Sequence, residues 1–370
     1  MDGNEFRLTV RMKANMTTSE PDLHIDPMEA EPEGQAQSHA SAAHRVREDL
    51  RSKCFGEGPE RAFLLASHPL YQRPVEILTN AIKMAYLTVL EDIKFKRPGS
   101  SFAADFRVGK STALLMIKRQ LIGSVPEVGF ELISAKDHDR VTERMFWGDI
   151  LIAFNLTTTG TAQERQNRVR MAVMASCIEA GGKHFCLLID EAQNWRASEY
   201  TWMRDLSNQL REQDGYTLTT VAWGDLRLEE TSAAFRSTRK DLWARFVMTP
   251  QKFHGVRSLK DIKYFFSEHD NPRRCEYPTG SGVTFSEFFL PKAFSAGWRL
   301  EVEAPNLWDA IARAATKVNR KTGDVGMQWI GESVIRFLTV KSLHDSLEFA
   351  SLPKDWDDAV EHSNFTNSLI

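Results

Sequence analysis

Residues 102–122, FAADFRVGKSTALLMIKRQLI, put an apolar run, a short loop and a helical pattern in immediate succession. Phe102 to Ala104 are apolar, and Leu114, Leu115, Ile117 and Leu121 recur with helical spacing after Gly109-Lys110-Ser111-Thr112. Strand, loop and helix in that order are the setting a phosphate-binding loop needs. Backbone N–H groups of the loop and of the helix start converge on phosphates, which the positive end of the helix dipole also favours. The expected nucleotide-binding residues are Arg107, Val108, Gly109, Lys110, Ser111 and Thr112. Lys110 would reach the outer phosphates, and the Ser111 hydroxyl would take one position on Mg²⁺. The pattern departs from its full form at the first position, where Ala104 replaces a glycine able to adopt positive φ freely. Taken alone, the stretch also reads as a capped helix after a loop.

A second stretch narrows the choice. Residues 185–191, FCLLIDE, form an apolar run ending in two acids, preceded by Gly181-Gly182 and followed by a polar turn. This is the pattern of a buried parallel strand whose carboxylates emerge at its C-terminal end, where open α/β sheets bind ligands. Asp190 is expected to hold the magnesium through water, and Glu191 to polarise the attacking water. By itself, Asp190-Glu191 reads equally as a strand end before a helix cap. The two stretches together point to nucleotide binding, and the interval between them leaves room for intervening βα elements.

A chain of 370 residues, 42% hydrophobic and 26% charged, can bury a sizeable core in one large or two ordinary domains. Its net charge of −3 neither demands nor excludes nucleic acid. Residues 1–44 are acidic and, after Thr17, rich in Glu, Pro, Ser, Gln and Ala. Such a segment cannot bury enough apolar surface to order itself, so a disordered tail is expected there. Cys54, Cys177, Cys186 and Cys275 show neither paired spacing nor a C-x-x-C pattern, and read as reduced thiols of a cytoplasmic protein. No leader-like apolar segment and no run of about 18 apolar residues appears, so neither secretion nor membrane spanning is expected.

Residues 45–99 read as a helical lead-in punctuated by Pro69 and Pro74, and residues 100–256 as the nucleotide core. VGFELISAK is the second strand, and the next helix is expected to begin near Asp139. Lys136, Arg140 and Arg144 recur at intervals of four and would share one side of that helix. Either that side touches DNA phosphates, or it is a solvated face neutralised by Asp137, Asp139 and Glu143. Arg165 and Arg168, on the following helix, invite the same two readings. TLTTVAW is the fourth strand, and the residue that senses the terminal phosphate just past it is Trp223 or Asp225. EETSAAFRSTRKDLWARF reads as one helix and VMTPQKFHGV as the fifth strand. Five strands alternating with helices give an α/β fold with a three-layer parallel sheet. Residues 257–350 read as a helical lid with a Pro/Gly-rich interruption between Pro272 and Pro291. Residues 351–370 carry isolated apolar anchors on a polar segment, a docking tail or a frayed terminus.

On these residues the sequence resembles the TnsC/TniB-type AAA+ ATPases that regulate DNA transposition in Tn7-like and mercury-resistance-type transposons. The carriers are HPLYQRPVEILTNAI, RVGKST, LLIDEAQNW, WARFV and TGDVGMQWIGESVIRFL, within about residues 60–345. The resemblance implies an AAA+ P-loop NTPase core, a five-stranded parallel sheet, with a C-terminal helical lid. It also implies an enzyme that uses ATP and Mg²⁺, and that oligomerises as a ring or filament on double-stranded DNA. Such an enzyme would link a target-selector protein to a transposase and be reset by hydrolysis. Lys110 and Ser111 match the phosphate-loop positions, Asp190 the magnesium position and Glu191 the catalytic acid. An arginine finger is implied near the end of the helix after strand four, where Arg245 fits first and Arg239 second. Its loss can lower the rate by roughly 10³ or more. The same flanks also resemble ATPases of secretion and of helicase loading. Ala104, Trp223 in a slot where a small polar sensor is usual, and the lack of an arginine near Gly326 are departures. They lead one to expect slow turnover, or an ATP-gated assembly scaffold with none.

Overall fold

The computed structural model describes residues 33–72 and 77–369, with side chains from His44 onward. The chain divides into two units, Met1–Arg45 and Val46–Ile370, and the sheet, its layers and the cores belong to the second. Of the acidic tail expected over 1–44, residues 1–32 lie outside the described residues, and 33–44 belong to the first helix. Pro74 and its neighbours at 73–76 also lie outside them.

Among the described residues, four helices precede the sheet: α1 (Glu33–Phe55), α2 (Pro59–Ala66), α3 (Pro69–Gln72) and α4 (Asn80–Lys94). Then come β1 (Ser101–Ala104), α5 (Lys110–Ser124), β2 (Val128–Ser134), α6 (Glu143–Ala153), α7 (Ala162–Glu179) and β3 (His184–Asp190). The core is completed by α8 (Ala197–Gln209), β4 (Thr217–Gly224), α9 (Arg227–Thr238), α10 (Lys240–Phe246) and β5 (Gln251–Phe253). All five strands are parallel, in the order β2-β3-β4-β1-β5. β3 lies between two neighbours and is covered on both faces, which is why HFCLLI is a continuous apolar run rather than an alternating one.

The two faces have separate cores. On one, Ile82 and Val89 of α4 and Leu114 and Ile117 of α5 pack against Phe102, Leu188, Val221 and Trp223. On the other, Trp147 of α6, Val173 of α7, Tyr200 of α8, Leu228 of α9 and Leu242 of α10 pack against Ile133, Leu187, Ile189 and Ala222. Neighbouring strand residues go to opposite layers, as the period of two requires. The result is the α/β core expected, a five-stranded parallel sheet between two helical layers, and a helical segment comes after it. The span expected as one helix after β4 is two, because Arg239, at φ −140° and ψ 68°, breaks it. The break lets Phe235 before it and Leu242 and Phe246 after it enter one core.

The second body comprises α11 (Leu259–His269), α12 (Phe285–Phe289), α13 (Pro291–Ser295), α14 (Ala304–Lys317), α15 (Met327–Ser342) and α16 (Pro353–His362). Its core also takes in Cys54, Leu70 and Ile77, so the lead-in is shared: the segment before α4 packs on the lid, and α4 on the sheet. The expectation of a tail over 351–370 is corrected by α16. Trp356 is fully buried there, stacked on Phe337 at 3.9 Å and an interplanar angle of 10°. Its Nε1–H donates to Glu303 Oε2 at 2.9 Å. Trp298, Asn306 and Ser351 donate to the same buried carboxylate. A charge buried under four donors is a satisfied one.

Candidate nucleotide site

The phosphate loop runs from the end of β1 to the first turn of α5. Gly109 caps α5 in the left-handed region, at φ 94° and ψ 29°. A Cβ there would meet only Met327 Cβ at 3.8 Å, so it is the backbone angle, not crowding, that calls for glycine. Ala104, by contrast, lies inside β1, buried and paired with Phe253. An alanine is at ease in extended backbone, so this departure from the motif leaves the loop's path intact.

Parallel pairing brings the ends of β1, β3 and β4 to one edge of the sheet. Ser111, one residue into α5, donates its hydroxyl to Asp190 Oδ2 at 2.9 Å. The other oxygen, Oδ1, accepts the Glu191 N–H at 2.9 Å. Burial raises the Asp190 pKa, against the pull of the Ser111 and Glu191 bonds and of Lys110 nearby. A cation placed between Ser111 and Asp190 would favour the ionised form. The donor set is a hydroxyl and a carboxylate, hard oxygens of the kind Mg²⁺ takes alongside phosphate and water.

Glu191 turns the chain through the left-handed region at φ 55°, and Gln193 sits behind it. Gln193 Nε2 donates to Glu191 Oε2 at 2.5 Å, and Gln193 Oε1 accepts the Asp225 N–H at 3.1 Å. One side chain thus spans from the acid after β3 to the residue after β4. The two sensor candidates are placed differently. Trp223 is fully buried between Phe102, at 4.7 Å, and Phe253, and belongs to the core. Asp225 stands at the sheet edge. Burial would raise its carboxyl pKa, but two bonds to Arg227 and the charges of Arg227 and Lys110 hold it below the usual range.

The loop forms one wall of a cavity of about 610 Å³, whose other walls include Leu70, Ile77, Phe265, His269, Met327 and Ile335. This volume is within the range of small-molecule sites. The lid meets the loop at the start of α15. Gln328 N–H lies 3.4 Å from Arg107 O, and the Arg107 guanidinium lies over the Trp329 ring at 4.9 Å. From α15, Gln328 and Glu332 line the cavity, joined by a 2.7 Å hydrogen bond.

The remaining candidates lie elsewhere. Arg245 Nη1 donates into α8, to Asn208 Oδ1 at 2.8 Å and Arg204 O at 3.3 Å. Arg239 is paired with Asp241 and donates to Thr201. The helical side expected for Lys136, Arg140 and Arg144 is corrected: Thr142 caps α6, accepting the Met145 N–H at 3.3 Å. Lys136 and Arg140 therefore lie in the connection before the helix, with Arg140 exposed and Lys136 bound to Asp149 at 2.9 Å. Arg144 donates to Gly160 O, and Arg165 and Arg168 are bound to the same loop at 157–160. Gln193, Arg227 and Glu332 were not singled out by sequence. The first lies within LLIDEAQNW, but its reach to β4 depends on strand order.

No protein-family model matches the chain, and no curated protein sequence matches it. Among solved structures, the ORC2 protein of Aeropyrum pernix in ADPNP–ADP complexes is 9% identical with a TM-score of 0.49. That match covers 76% of this chain and 66% of the other, just under two thirds of its length. The Aeropyrum pernix ORC1 protein in complex with DNA is 12% identical, with a TM-score of 0.46 over 82% of this chain and 68% of that one. Domain III of the replication initiation protein DnaA from Thermotoga maritima is 14% identical, with a TM-score of 0.42 over 79% and 95%. These are distant likenesses of fold, so the chemistry of the site is carried by the chain's own residues.

Proposed function

We propose that this chain binds ATP with Mg²⁺ between the phosphate loop and the acids after β3, hydrolyses it slowly, and uses the nucleotide to govern assembly of copies on double-stranded DNA. The observation that carries the reading is the Ser111–Asp190 hydrogen bond, which joins the loop to the strand end at the point a phosphate-bound cation would occupy. When bound, Mg²⁺ would neutralise charge between the outer phosphates. Lys110 and the N–H groups of 107–112 hold the phosphates, Glu191 orients the attacking water, and Gln193 fixes the Glu191 carboxylate.

An arginine from a neighbouring copy completes the site. Arg239 gives up an exposed ion pair with Asp241, worth roughly 1 kcal/mol or less, whereas Arg245 must leave half-buried partners. DNA contacts go to phosphates through Lys136, Arg140 and Arg144, so affinity falls steeply with salt. The role in transposition, linking a target selector to a transposase in the cytoplasm, rests on the sequence resemblance. Among the described residues, no helix is long and apolar enough to cross a membrane.

Phosphate release with and without duplex DNA tests the reading. Turnover is expected to rise with DNA and to disappear in Glu191→Gln, which keeps ATP binding. A second reading, an ATP-gated scaffold without turnover, draws on Glu332, which puts an acid where the lid could offer a cation. It requires assemblies formed with a non-hydrolysable analogue and equally persistent with ATP.

A further inference from the structure

The edge of the sheet that faces the phosphate loop is crowded with acids. Asp190 and Glu191 stand at the end of β3, and Asp225 follows β4, directly after Gly224, which pairs with Ala103 of β1. The Asp225 side chain is only 12% exposed, and the charge of Lys110 reaches its carboxylate through space. A phosphate held by Lys110 would act on that carboxylate over a similar distance and with the opposite sign, so the two would repel. Arg227 stands against that repulsion. Its backbone N–H donates to Asp225 Oδ1 at 2.9 Å, and its guanidinium meets Oδ2 from Nε at 2.9 Å and from Nη2 at 2.8 Å. The charges of Glu191 and Asp137 reach the same guanidinium.

The start of α9 does not need this guanidinium. The N–H that Asp225 accepts belongs to the backbone, and an ion pair whose basic side chain is 59% exposed adds little to stability. What the side chain supplies is charge. In the proposed site the outermost phosphate is the one attacked by the water that Glu191 orients, so it is the phosphate that comes nearest the strand ends. We propose that Arg227 is a specificity-determining residue of the nucleotide site: by cancelling the Asp225 carboxylate it lets the sheet edge accept a third phosphate, and so favours nucleoside triphosphate over diphosphate. Arg227 acts through Asp225, and the argument asks for no contact between its guanidinium and the nucleotide. This inference rests on the nucleotide-binding reading and goes further by naming the charge that separates ATP from ADP.

The test measures the affinities of the full chain for ATP and ADP by titration calorimetry with Mg²⁺ at low salt, and reads their ratio. Arg227→Gln is expected to shift the ratio toward ADP by about threefold or more, and the shift should shrink as salt is added. Arg227→Lys, which keeps the charge, should stay within about twofold of the wild type. The double variant Asp225→Asn with Arg227→Gln keeps an oxygen for the residue 227 N–H and removes both charges, so it should return the ratio toward the wild type. An unchanged ratio in Arg227→Gln overturns the role of Arg227 and leaves nucleotide binding standing. A shift that persists in the double variant also overturns it, because the Asp225 charge is then not its cause. Failure of the wild type to bind either nucleotide overturns the site itself.

Discussion

Gln193 uses both ends of its amide, one on the Glu191 carboxylate and one on the Asp225 N–H, and neither contact is to the phosphate loop. Removing it should free the Glu191 side chain while leaving the groups that grip the nucleotide in place. Gln193→Ala is therefore expected to lower kcat about tenfold or more with little change in the KM for ATP, read by steady-state phosphate release. An equal loss in Lys110→Ala should instead come with loss of binding, since that side chain is the one proposed to hold the phosphates. The first layer of this site was legible because its chemistry is local. A Gly-Lys-Ser turn ahead of an amphipathic helix and an acid pair ending an apolar run are written in consecutive residues. Gln193 was not, since its contact with the Asp225 N–H depends on strand order. Trp223 and Asp225 show the same limit at a distance of two residues. Only the aromatic stack on Phe102 tells which of them is core.

At the scale of elements, the seam between the lid and the loop borders the proposed nucleotide cavity. Gly326 precedes α15, and a Cβ placed on it would lie 2.9 Å from Arg107 O, closer than real Cβ contacts come. A side chain there must push α15 or the loop aside. Gly326→Val is expected to weaken ATP about tenfold and to lower unfolding free energy by roughly 1–3 kcal/mol, as overpacking does. Calorimetry and urea denaturation check the two figures, and unchanged affinity would show that the seam and the nucleotide are independent. Strands β1 to β4 were legible from their apolar runs, whereas two helix boundaries were not. Asp139 and Thr142 are both good caps, and the choice falls to Thr142 because Phe146, Trp147, Ile150 and Leu151 must then face the core. The break at Arg239 has no proline or glycine to announce it. It is made by the demand that Phe235 and Phe246 share one core.

At the scale of the whole molecule, stability depends on groups buried in the cores. Trp356 ties the last helix to the lid through Phe337 and Glu303, so Trp356→Ala should destabilise by roughly 3–5 kcal/mol and remove one of the four donors to a buried carboxylate. Three buried histidines set a further condition. Burial first of all pushes His68 down to about 3, and His184 and His269 to about 4. Each is thus harder to protonate folded than unfolded, where the value is about 6.5. Their contribution is fully present above pH 6.5 and is lost as pH falls toward 4, because the unfolded chain takes up protons that the native one refuses. The slope approaches about 1.4 kcal/mol per pH unit for each histidine, so the three together remove on the order of 5 kcal/mol between pH 7 and pH 5. Asp92, Asp190 and Asp270, whose pKa values burial raises, act in the opposite sense. Urea midpoints at pH 7, 6 and 5 are expected to fall steadily. His184→Asn, which keeps a polar partner for the Thr219 hydroxyl that His184 now meets at 2.9 Å, should remove about one third of the fall. A midpoint that stays level from pH 7 to pH 5 would mean that these imidazoles are reached by water, and that the aromatic cage of Tyr277, Phe285, Phe288 and Phe289 around His68 is open in solution.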